Sequence, residues 1–204
     1  MAATQANASP KWECGQGAGV TSFARSPEAR VYLRSRSGVL GNEPKSVVGC
    51  WRPTGKRTRI GFNDNGFDFE RDRVRHVILS GRFVAYTQRH ADGNNPGAGT
   101  ERALGVDLET GKLVACGNAE SSIDEVALTS RGAIAVLSSN RSLLQVFDVR
   151  GATTLVRRAT SPISRLRVNG DRIVWRRGDR TGAARAMPAS PVTAACEGVQ
   201  IRPF

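Results

Sequence analysis

The stretch from Val106 to Gly117 reads VDLETGKLVACG: two short runs with apolar alternation, joined by Thr110-Gly111-Lys112. A glycine-lysine tip invites comparison with a phosphate-binding loop. That loop needs four residues between its glycines and a hydroxyl residue after its lysine, so that backbone amides ring the phosphates and the hydroxyl meets magnesium. Here five residues separate Gly105 from Gly111, and Leu113 follows Lys112. The same holds at Gly49, Gly55, Lys56 and Arg57. Both stretches therefore read as β-hairpins, with glycine supplying positive φ at a tight turn.

Working outward, strand-turn-strand units recur along the chain. First hairpins are expected at Ser22 to Leu33, His76 to Tyr86, Glu125 to Leu137 and Arg165 to Trp175. Second hairpins are expected at Val47 to Gly61, Leu104 to Gly117 and Leu144 to Val156. Their glycines 55, 111 and 151 are spaced by 56 and 40 residues, which suits a four-stranded propeller blade. No 12-residue window carries a helical stripe. The fold class expected is all-β: a small or partial β-propeller of four antiparallel units, about 20–62, 73–117, 122–158 and 162–204, behind a polar tail 1–11, with a β-sandwich as the alternative. The fourth unit is degraded, with AARAMPAS as a third strand and CEGVQIRPF as a last one. If the ring does not close within one chain, a homo-oligomer is expected to cover its edge.

The third strand ending in Asp, the Thr-Gly turn and the strand after it resemble blades of WD40-like and TolB-like β-propellers. Asp107 to Lys112 carries that resemblance, and Phe147-Asp148-Val149-Arg150-Gly151 does so more loosely. With CWRPTGKRTRIG early in the chain, the layout is similar to uncharacterised propeller-like proteins exported by high-G+C actinobacteria. The resemblance implies a repeat scaffold that binds through its blade loops. The Trp-Asp and Gly-His dipeptides of the scaffolding propellers are missing from this sequence.

The chain has 204 residues, 39% of them hydrophobic, and a net charge of +12. Such a charge raises nucleic acid or another polyanion as partner, through counterion release. Only four of the 30 basic residues are lysine, and the arginines are scattered along the sequence, so composition is the favoured explanation and nucleic acid is not the favoured partner. Arginines clustered on one folded face would strengthen the polyanion reading, and arginines spread evenly over the exposed strands would leave composition as the explanation. No apolar run is long enough for a transmembrane helix. Cys14, Cys50, Cys116 and Cys196 have no zinc or thioredoxin spacing and are disulfide candidates; a bridge between Cys14 and Cys196 would close the longest loop. An oxidising compartment is expected, hence a secreted or cell-surface protein, although the first ten residues have no signal-peptide pattern; the cytoplasm is the other location the sequence leaves open.

Chemistry-bearing residues are sparse. His76 and His90 are the two histidines, and nothing in their spacing puts them together. No hydrolase elbow or HExxH pattern occurs, so no catalytic residue is assigned and no cofactor is expected. The single metal reading is calcium at Asp64 and Asp68 within FNDNGFDFERD, which lacks a full calcium loop and reads first as a linker. The insertion Gln88 to Arg102 is expected to be a surface loop. Arg176 and Arg177, with Trp175 and His90, form the candidate binding set. The function expected is non-catalytic binding of a protein or other macromolecule; a polyanion binder is the alternative, and an enzyme with a dispersed site comes last.

Overall fold

A computed structural model describes residues 14–15, 20–35, 45–63, 70–92, 95–119, 121–157, 160–192, 196, 199 and 201–204. The chain is all-β, built of four antiparallel sheets. The first holds β1 (Val20–Arg25), β2 (Ala29–Arg34), β3 (Lys45–Trp51) and β4 (Lys56–Asn63). The second holds β5 (Glu70–Ser80), β6 (Phe83–Asp92), β7 (Asn95–Asp107) and β8 (Lys112–Asn118). β9 (Ile123–Leu128), β10 (Ile134–Ser138), β11 (Leu143–Asp148) and β12 (Gly151–Val156) make the third. The fourth is β13 (Ile163–Asn169), β14 (Arg172–Arg177) and β15 (Arg180–Arg185). A last strand, β16 (Arg202–Pro203), pairs with β4 in the first sheet. Each sheet is a meander, and this blade-like arrangement fits a small propeller or a sandwich.

The turns explain the meanders. Gly81-Arg82, Gly170-Asp171 and Gly178-Asp179 are two-residue hairpin turns whose glycines have φ of 55, 59 and 54°, the conformation a Gly-x turn requires. The opening stretch is the tip of a hairpin: β7 ends at Asp107, whose Oδ1 accepts from the amides of Glu109 and Thr110. Lys56 Nζ donates to the carbonyl of Thr110 at 2.7 Å, so the two Gly-Lys tips meet each other. Gly151 differs from Gly55 and Gly111: it opens β12 after a two-residue turn, whereas the other two close four-residue turns.

Three buried clusters join successive sheets. Val31, Val47 and Ile60 meet Val84, Tyr86, Leu104 and Leu108 between the first two sheets, where the Tyr86 hydroxyl donates to the carbonyl of Ile60 at 2.6 Å and burial pushes its phenol far above the ordinary value. Ala103 and Ala115 meet Val126, Ile134 and Phe147 across the next gap; the Phe147 ring lies where a Cβ on Gly117 would stand. Leu137, Leu144 and Val146 meet Ile163, Leu166 and Ile173 across the third. The far face of the first sheet is covered by Cys14, which packs with Tyr32 and Val48, and Arg30 Nη1 donates to the carbonyls of Cys14 and Gly15 at 2.9 Å.

Cys14 is bonded to Cys50, and Cys116 to Cys196, with Cα separations of 5.8 and 6.3 Å. Cys14 is thus tied to β3 inside the first sheet and Cys196 to β8 at the edge of the second, and the loop between Cys14 and Cys196 is not the one closed. Beyond β15 the chain crosses the hairpin-turn end of the stack. Ala186 N donates to Asp171 O, Met187 N to Asp148 Oδ2, Ala189 N to Arg131 O and Val192 N to Leu113 O, each within 3.0 Å. Cys196 then bonds to β8, and β16 joins β4. The C-terminal segment is therefore a strap over all four sheets, and it completes the first sheet instead of the fourth.

The insertion expected as a surface loop is a hairpin extension. β6 and β7 stay paired from Phe83↔Asp107 out to Asp92↔Asn95, with β5 alongside as far as Glu70. Ladder bonds are made by backbone, so the Gly- and Asn-rich composition did not prevent pairing.

Candidate polyanion-binding face

Charge gathers on two sheets: residues 20–63, which hold the first, carry nine cations against two carboxylates, and the fourth is the other. From Ile163 to Arg185 it holds seven arginines against two aspartates, net +5 of the chain's +12. Strand alternation sorts them onto faces. Leu166, Val168, Ile173 and Trp175 turn toward the third sheet. Opposite residues of an antiparallel pair share a face, so the register lays three rows on the other side: Arg165–Arg176–Thr181, Arg167–Val174–Ala183 and Asn169–Arg172–Arg185. Arg165, Arg167, Arg172, Arg176 and Arg185 are all exposed, and rows two residues apart lie about 7 Å from one another.

Two of these rows set arginine directly opposite arginine, at Arg165↔Arg176 and Arg172↔Arg185. Like charges in that position cost a sheet stability. Among the described residues no carboxylate pairs with Arg165, Arg167, Arg172 or Arg185. Arg176 is turned to the Gly178 carbonyl at 3.0 Å, with Asp179 at 3.9 Å. Asp171 is engaged by Arg131 at 3.2 Å and by Ser130. The first sheet also sets Arg25 opposite Arg30 and Arg59 opposite Arg202, but several of its arginines are engaged by aromatic rings. Arg30, Arg34 and Arg59 lie over the rings of Tyr32, Phe204 and Phe62 at 5.8, 5.2 and 4.8 Å. Burial raises the Tyr32 phenol even so, against the lowering pull of Arg57, Arg34 and Arg30.

Where the last row meets the Gly170 turn, an open pocket of about 470 Å³ is lined by Asn169, Asp171, Arg172, Ala183, Ala184 and Arg185. The sheet itself is held from behind. Arg141 Nε donates to Ile163 O at 2.5 Å and Arg141 Nη2 pairs with Glu125 at 2.7 Å; the residue enters through three consecutive left-handed positions, Ser139, Asn140 and Arg141, with φ of 56, 55 and 64°.

Alternation divides the candidate set. Arg176 stands on the cationic face, while Trp175 and Arg177 stand on the other, Trp175 over Gly182 against the third cluster. His90 lies far away on β6, opposite Asp72 in register; His76 sits at an irregularity of β5 with φ 49°, four residues along the ladder and so about 13 Å off. Asp64 and Asp68 lie outside the described residues. Among the described residues no three metal-ligating groups stand together. Sequence reasoning missed Arg165, Arg167, Arg172 and Arg185. Their signal was present as arginine at i and i+2 in SRLRVN, on the same period as the strand, and became a cluster only through the cross-strand register. The chain matches no protein-family model, no curated protein and no solved structure.

Proposed function

We propose that this is an exported, secreted or cell-surface binding protein, a small propeller-type scaffold without catalytic activity, which holds an anionic glycan polymer on the arginine face of its fourth sheet. The five exposed arginines on one face carry this reading: four of them have no carboxylate partner among the described residues, and their mutual repulsion gives up stability that an anionic partner restores. It raises the polyanion above composition as the explanation of the charge. A glycan is favoured over nucleic acid for two reasons. Both disulfides fit an oxidising compartment, and binding of single strands draws on aromatic stacking, whereas the tryptophan of this sheet is turned inward. A second copy does not fit the face, because an isologous contact would set arginine against arginine.

The test is affinity for a sulfated glycan, a carboxylated glycan and single-stranded DNA, measured by anisotropy over a range of salt. A log–log slope of about −3 to −5 is expected for five arginines, with a reduction of about 1 for each of Arg165→Gln, Arg167→Gln and Arg176→Gln. Arg52→Gln, on the turn between β3 and β4, should leave the slope alone. Salt-independent binding, or preference for DNA, would overturn the reading. A second reading, capture of a protein by the hairpin-turn end, is favoured by Val149 and Met187, neighbouring apolar residues there that are 53% and 46% exposed. Those residues rim no charged row, so protein capture would be insensitive to salt.

A further inference from the structure

The geometry points to the pocket at the Gly170 turn as a subsite for one tetrahedral oxyanion, the phosphate or sulfate ester group of an anionic polymer, held by Arg172, Arg185 and Asn169. The inference rests on the reading of the fourth sheet as a polyanion face and names the group that the face is built to take.

Three features single out this row. Arg172 and Arg185 are register partners on adjacent strands, so their side chains leave the sheet together, about 5 Å apart at Cβ. Each guanidinium presents a planar fork of donors, and two forks from one side match the several oxygens of a tetrahedral anion better than the two of a carboxylate. Asn169, opposite Arg172, adds an amide whose NH2 donates. Second, the neighbouring position on β15 is Ala183, and the pocket of about 470 Å³ opens beside it, whereas in the Arg165–Arg176 row Arg176 is already turned toward Gly178. Third, the pocket is fixed. Gly170 O accepts from Ser130 N at 3.3 Å, Asp171 O from Ala186 N at 2.9 Å, and the Asp171 carboxylate is engaged by Arg131 and Ser130. The one carboxylate in the lining is therefore paired, while among the described residues the two arginines have no carboxylate partner.

The probes are inorganic sulfate, inorganic phosphate and acetate, each titrated at constant ionic strength into the oxidised protein. The readout is the Nε–Hε resonances of the arginines. Sulfate and phosphate should saturate shifts of Arg172 and Arg185 together, at least tenfold more tightly than acetate. Arg172→Gln and Arg185→Gln should each abolish saturation, while Arg165→Gln leaves it intact and weakens only polymer binding. Unchanged amide spectra for the variants would establish that they fold. Competition by a sulfated glycan and by a phosphorylated glycan then tells the two sources apart, the tighter competitor naming the ester. Uniform small shifts of all five arginines, or equal affinity for acetate, would overturn the subsite. In that event salt-dependent polymer binding would still stand as a diffuse contact, whereas polymer binding without salt dependence would remove the broader reading with it.

Discussion

Asp148 shows how much one residue organises at the end of β11. Its side chain is fully buried, with Oδ1 accepting from Arg150 N at 2.9 Å and Nε at 3.1 Å, and Oδ2 from Arg150 Nη2 at 2.5 Å and Met187 N at 2.9 Å. Burial alone would push the carboxyl upward; the hydrogen bonds from Arg150 and Met187, with the Arg150 charge, outweigh it and hold the group below its ordinary 3.8. A depressed folded value means stability present above the unfolded value and lost as pH falls through the folded one. Urea midpoints should therefore drop as the protein is taken below pH 3.8, with Asp148→Asn less sensitive over the same window. At neutral pH that variant turns an amide NH2 toward the Met187 N–H and should cost about 1–3 kcal/mol. A variant as stable as the parent would show that the strap needs no anchor here. Asp107 holds the equivalent place in the second sheet, bracketing its turn amides while Arg82 Nε approaches Oδ2 at 3.3 Å.

At the scale of the element, the fourth sheet trades stability for charge. Arg165→Thr removes one member of the Arg165↔Arg176 pair and replaces it with a residue that favours strands. It should raise the unfolding free energy by about 0.2–1 kcal/mol at low salt, the gain shrinking as salt screens the parent, while polymer affinity falls. Paired thermal melts at low and high salt measure this, and a variant less stable at both would mean that the arginine is there for packing. The same sheet shows what was legible in the sequence. Gly170 marks its turn, as Gly81 does in the second sheet, and the short apolar runs in RIVWRR and HVILS mark strands, because φ preference and run length are local properties. Which strands lie side by side is not local. Arg172 and Arg185 became neighbours through a register that only the folded meander sets, and the pairing of Arg202–Pro203 with the first sheet was hidden because the strap's partners lie across all four sheets. The Trp175-Arg176-Arg177 set was read as adjacent along the chain, whereas alternation places its members on opposite faces.

For the whole molecule, the strap and its disulfide address a problem of sheet stacks. The three buried clusters join each sheet to the next in sequence, and among the described residues none joins the fourth to the first. Backbone bonds from residues 186–192 to the turns of the fourth, third and second sheets, then Cys116–Cys196 and β16, connect the last sheet back to the first. Val199 and Ile201 add apolar contact to the first cluster. The two bridges span 36 and 80 residues, and each stabilises by about 4 kcal/mol in the chain-entropy model. Their effects should differ in kind. Cys14→Ser with Cys50→Ser loosens the covered face of the first sheet alone, since Cys14 packs on Tyr32 and Val48. Cys116→Ser with Cys196→Ser releases the strap, so amide protection at Met187, Ala189 and Val192 should fall together while the interior of β10 keeps its own. The midpoint of thermal unfolding should drop by about 8–16 °C for a chain of this size. Hydrogen exchange on the two double variants decides it: loss of protection spread evenly over the four sheets would show that they unfold as one unit whether or not the strap is tied. Loss confined to 187–192 and β16 would show that the strap is a separate cooperative unit which the second disulfide holds in place.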